Sequence, residues 1–133
     1  MVYTPQPDIR QTDAMSDESG GEDCLFCKIA SGEIEADVVH ESATTVAFRD
    51  LNPQAPTHVL VIPRSHYANA ADLATGEPET AVDLFAAARA IAEQEGLGAG
   101  YRLVFNTGKA AHQTVFHAHM HVLGGRAMTW PPG

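Results

Sequence analysis

An α+β fold with a five-stranded, mainly antiparallel sheet is predicted by three features of the chain. Five short β-prone runs are spread along it, one long segment carries helical periodicity, and that segment falls between the third and fourth runs. A shorter apolar stripe ahead of the first run adds one short helix.

Residues 1–23 hold six acids against Arg10, a net of −5 within a formal charge of −9, and few apolar residues to bury. They read as a disordered acidic tail. From Cys24 the composition changes, and residues 24–133 form the folded domain. Leu25, Phe26 and Ile29 make a short helical stripe that Gly32 ends. Val38 to Glu41 and Thr44 to Arg49 are β-prone runs joined by a Ser-Ala link, as in a hairpin. Two prolines between Asn52 and Pro56 break the pattern. Thr57 to Ile62 then reads as a buried central strand stopped by Pro63.

The long helix runs from about Pro78 to Glu95. Ala81, Leu84, Phe85, Ala88, Ile91 and Ala92 share one face, Pro78 opens the first turn, and Gly96 and Gly98 follow the end. Tyr101 to Asn106 is the fourth strand, Thr107 to His112 a loop, and Thr114 to Gly124 the fifth strand.

Bulk properties narrow the function. A chain of 133 residues that is 44% hydrophobic and 19% charged suits one compact domain. It has no apolar run of membrane-spanning length and no export-signal pattern, so a cytoplasmic protein with no membrane partner is expected. No basic stripe is available to neutralise a phosphate backbone, which excludes polymeric nucleic acid. A small nucleotide remains possible.

Within the fifth strand stand His117, His119 and His121, alternating with Ala118, Met120 and Val122. Successive side chains of an extended segment point to opposite faces, so the three imidazoles share one side. A neutral imidazole can attack phosphorus when its second ring nitrogen carries a proton bonded to a fixed acceptor. The middle histidine, His119, is the natural nucleophile. Gln113 and Thr114 lie close enough in sequence to supply donors to phosphoryl oxygens. The pair Cys24 and Cys27, in C-x-x-C spacing, reads as a metal or redox pair ahead of a structural disulfide.

The run His117-Ala118-His119-Met120-His121-Val122-Leu123 resembles the signature of the histidine triad (HIT) family. The likeness extends through Phe48 to Pro63, Asn106 and Gln113 to Gly133, where it is similar to the Hint branch. That resemblance implies hydrolysis of purine nucleoside 5′-phosphoramidates, or related nucleoside monophosphate conjugates, through a nucleotidyl-histidine intermediate and without a catalytic metal. Dinucleoside polyphosphate hydrolysis or phosphorolysis, nucleotidyl transfer, and a non-catalytic nucleotide- or zinc-binding module are the alternatives. By position, the resemblance makes His119 the nucleophile, with His117 and His121 as companions and His58 assisting protonation. It places Asn106, Gln113 and Thr114 on the phosphate or scissile bond, Asp50 on the ribose, and Leu25, Phe26, Ile29, Phe48 and Leu51 around the base.

Cys24, Cys27, His66 and His117 would form a structural zinc site as in the zinc-binding bacterial version of the family. A homodimer with the sheet continued across the interface is also implied, Trp130 reaching the partner's site. Two departures stand out: Thr114 where serine is frequent, and His112 where glycine is common.

Overall fold

A computed structural model of the chain describes residues 23–133. The tail expected over residues 1–23 lies, except for Asp23, outside the described residues. In order the elements are helix α1 (Leu25–Ser31), strands β1 (Val38–Glu41), β2 (Thr45–Arg49) and β3 (Thr57–Pro63), helices α2 (Ala70–Gly76) and α3 (Pro78–Gln94), and strands β4 (Tyr101–Val104) and β5 (Met120–Gly124). The five strands form one sheet in the order β1-β2-β3-β5-β4, with every neighbouring pair antiparallel. The α+β expectation holds.

Alternation along the central strands splits the core into two layers. Ala47, Val59, Val61, Met120 and Val122 point to one face and bury Leu84, Ala88 and Ile91 of α3. Val46, Phe48, Leu60 and Ile62 point to the other and bury Phe26 and Cys24. Both faces of β3 are therefore covered, which is why it reads as an unbroken apolar run. Gly32 closes α1 at φ +86°, a left-handed conformation that suits a residue without Cβ. Among the described residues no helix is long and apolar enough to cross a membrane.

Three expectations change. The sheet carries a second short helix, α2, which the sequence pattern did not reveal. Only Leu73 of α2 is buried, so it has no apolar period, and Asn69 starts it by accepting from Asp72 N at 2.9 Å. The histidine strand begins at Met120 and not at Thr114. Before Met120 the backbone is otherwise engaged: Ala118 N donates to Tyr67 O, and the carbonyls of Val115 and His117 accept from side chains. The fourth strand consequently ends at Val104, whose partner His121 is almost the last residue available for pairing.

Candidate active site

The face of the sheet covered by α1 opens into a cavity of about 310 Å³. Leu25, Phe26 and Ile29 of α1, Phe48 of β2, Leu60 of β3, and Asp50 and Leu51 just past β2 line it, with Thr114, His119 and His121. Phe26 holds the wall together. Its ring meets Phe48 edge-on at 5.5 Å between centroids and His119 at 5.1 Å.

Backbone partners determine which nitrogen of each imidazole carries its proton. A carbonyl can only accept and an amide N–H can only donate, so each such bond settles a tautomer. His119 Nδ1 lies 2.7 Å from His117 O and must donate to it. The lone pair of His119 is thus on Nε2. Gln54 N donates to His58 Nδ1 at 3.0 Å, which puts the His58 proton on Nε2. That proton is donated to His121 Nδ1 at 2.9 Å, so the His121 proton is on Nε2. His121 Nε2 is the one buried side-chain nitrogen or oxygen among the described residues with no hydrogen-bond partner. An unsatisfied N–H beside an unprotonated imidazole nitrogen, both on residues lining one cavity, is arranged for a ligand that supplies an acceptor and an electrophile.

Burial keeps these rings neutral. It pushes His121 down to about 4, helped by the neighbouring His119 and His58. Burial also lowers His119 and His58, and the Asp50 carboxylate opposes that effect on both. Asp50 is itself held, one oxygen accepting from Asn52 N at 2.8 Å and the other 3.5 Å from His58 Nε2.

A second cluster lies directly behind the first. His117, fully buried, donates from Nε2 to Pro63 O at 2.9 Å, leaving its Nδ1 lone pair facing Cys24 Sγ at 3.3 Å, Cys27 Sγ at 3.5 Å and His66 Nδ1 at 3.2 Å. Cys27 Sγ is 3.5 Å from His66 Nδ1. Tetrahedral coordination by two sulfurs and two nitrogens at the usual bond lengths requires ligand-to-ligand edges of about 3.3 to 3.8 Å. The donor set fits a metal.

Without a cation, burial pushes the Cys24 thiol up to about 11. A divalent ion would reverse this by stabilising the thiolate. Asp50, His58 and His121 also converge closely enough to hold an ion. Their tautomers exclude it, because the His58 nitrogen facing the group carries a proton.

The remaining expected residues are less uniform. Thr114 lines the cavity, while Leu51 lines it from a fully exposed position at 101%. Gln113 is buried and its amide is spent on the backbone, accepting from Gly108 N at 2.9 Å and donating to Ala68 O at 2.7 Å and Val115 O at 3.0 Å. Asn106 is half-buried and not part of the lining, and Trp130 is exposed. Arg49, Leu60 and Val115 line the cavity without having been expected, as do Ile34, Glu35, Ala36 and Asp37. Their signal was weak, since the segment before β1 carries no periodicity that would aim it inward.

A family model described as the HIT domain matches residues 31–128. The chain is 52% identical over 113 residues to an "Uncharacterized HIT-like protein" of Synechococcus elongatus, covering 84% of this chain and 98% of that one. It is 47% identical over 112 residues to a "14 kDa zinc-binding protein" of Zea mays, covering 82% and 87%. Among solved structures it is similar to a HIT family hydrolase from Legionella pneumophila, with a TM-score of 0.80 and 52% identity over 84% of this chain and all of that one. A HIT family hydrolase from Clostridium thermocellum matches with a TM-score of 0.79 and 42% identity, covering 83% and 96%.

Proposed function

The chain belongs to the HIT domain family, and on that footing we propose that it hydrolyses purine nucleoside 5′-phosphoramidates or related nucleoside monophosphate conjugates. The observation that carries this is the tautomer pattern: an unprotonated Nε2 on His119 beside an unpartnered Nε2–H on His121. His119 Nε2 attacks the α-phosphorus, forming an N–P bond as the bond to the leaving amine breaks. His117 O, already bonded to Nδ1–H, stabilises the positive charge that the ring acquires. His121 donates to the phosphoryl group or the departing atom, and His58 holds His121 in the tautomer that can do so. Water then cleaves the N–P bond, releasing the nucleoside monophosphate and restoring neutral His119. Asp50 accepts the ribose hydroxyls, and Phe26, Ile29 and Phe48 enclose the base.

Cys24, Cys27, His66 and His117 would hold zinc, and a closed four-ligand site is structural. Zinc would pin α1 to the segment preceding β5. Within this reading the protein is a homodimer whose sheet continues across the subunits, with the exposed Trp130 near the partner's site.

Intact-mass analysis after rapid quenching with a purine nucleoside phosphoramidate tests the mechanism. A nucleotidyl adduct mapping to His119, followed by release of the monophosphate, is expected. Tight nucleotide binding with neither adduct nor release would overturn it in favour of a binding module.

A further inference from the structure

The cavity extends well beyond the reacting group, and its far side has an electrostatic character of its own. His119, His121 and Thr114 belong to β5 and the loop before it, whereas Ile34, Glu35, Ala36 and Asp37 come from the connection leading into β1. In the sheet order, β1 lies three strands from β5. At about 4.8 Å per strand, roughly 14 Å separates the two ends. Asp50, just past β2, stands between them. A nucleoside monophosphate with its phosphorus at His119 and its ribose at Asp50 therefore directs its base toward Glu35.

Of the two acids at that rim, Asp37 is opposed by Arg49, which also lines the cavity, whereas Glu35 is not paired with it. Arg49 has its two terminal nitrogens on both carboxylate oxygens of Glu95 at 3.2 and 2.9 Å, and its Nε is 3.7 Å from Asp37, so its contacts are to these two acids and not to Glu35. Glu35 has no hydrogen-bond or ion-pair partner among the described residues. Its neighbours Ile34 and Ala36 line the same cavity, which keeps this short segment against the ligand space.

We propose that Glu35 is a specificity-determining residue that selects guanine over adenine. The proposal rests on the nucleotide reading of this same cavity. Guanine presents two adjacent donors on one edge, N1–H and the exocyclic N2 amino group, and a carboxylate accepts such a pair with both oxygens. The corresponding edge of adenine has a ring-nitrogen lone pair at N1, which a carboxylate repels. A site offering only acceptors rejects the base whose edge presents another acceptor.

The test compares kcat/KM for guanosine and adenosine 5′-phosphoramidates, with the same unsubstituted amine as leaving group, in the full chain and in its Glu35→Gln and Asp37→Asn variants. The native chain should favour guanosine about tenfold, the discrimination expected of a hydrogen bond to a charged group. Glu35→Gln should bring the ratio close to one by raising KM for the guanosine substrate and lowering it for the adenosine substrate, since the amide no longer repels adenine N1 and can donate to it, and Asp37→Asn should keep the native ratio. A native ratio at or below one, or a ratio that Glu35→Gln leaves intact, overturns the proposal. If neither substrate is turned over, the hydrolase reading fails separately. Calorimetry with GMP and AMP on the His119→Ala chain then still decides base preference by the same ratios.

Discussion

At His119 a single hydrogen bond decides which ring nitrogen is left to act on a ligand. Because His117 O holds Nδ1–H at 2.7 Å, Nε2 presents its lone pair to the cavity. His119→Ala should abolish turnover while changing the affinity for a nucleoside monophosphate less than about tenfold, as read by calorimetry against steady-state rates. His112 offers a test of backbone strain. It is the one non-glycine residue with positive φ among those described, at φ +68° and ψ +34°. Left-handed geometry is costly for a residue with a Cβ, so His112→Gly should raise stability by about 1 kcal/mol in urea unfolding. The departure from glycine at this position was visible in the sequence, but its backbone conformation was not.

Among the elements, α3 shows most directly how far local pattern carries. The spacing of Leu84, Ala88 and Ile91 announced a core-facing helix, and all three are fully buried against the sheet. Ile91→Ala should cost about 3 kcal/mol, measured as a lower urea midpoint with an unchanged slope. The helical period also placed Phe85 on the buried face, yet it is 53% exposed and packs edge-on with Phe105. The apolar stripe is wider than the surface of the sheet that it covers. Helix α2 went unread for the opposite reason, having one buried residue and no period. The histidine strand was overextended because alternation records which side a residue faces; it does not record whether the intervening backbone is paired to a strand.

For the whole molecule, acid and chelation are the informative perturbations. His121 is depressed from the usual 6.5 to about 4, so between those values the unfolded chain binds a proton that the folded chain excludes. Stability should therefore fall as the pH drops from about 6.5 to 4, with no further loss from this group below 4. Urea midpoints measured at stepped pH should fall less steeply for His121→Asn than for the native chain. Chelation should release about one zinc per chain and lower Tm, since binding energy at a closed Cys/His site is folding energy. Elemental analysis and thermal scans of the native chain and of a Cys24→Ser, Cys27→Ser double variant would check both, the variant binding no metal and melting lower from the outset.

By itself the sequence determined the layers: strand alternation and helical period follow from which faces meet the core, and those periods are written in consecutive residues. The H-x-H-x-H spacing likewise led to His119 as the proposed nucleophile, and the resemblance built on it pointed to Cys24, Cys27, His66 and His117, which converge in the fold. Tertiary structure decided the rest, because proton placement and ligand convergence depend on how the folded backbone brings partner groups together, near or far in the chain. Pro63 O and Gln54 N set the tautomers of His117 and His58, and Cys24 meets His117 across 93 positions. Gln113, expected at the phosphate, has its side-chain amide bonded to three backbone groups. A local pattern specifies the direction of a side chain, and only the folded backbone specifies the partner it finds there.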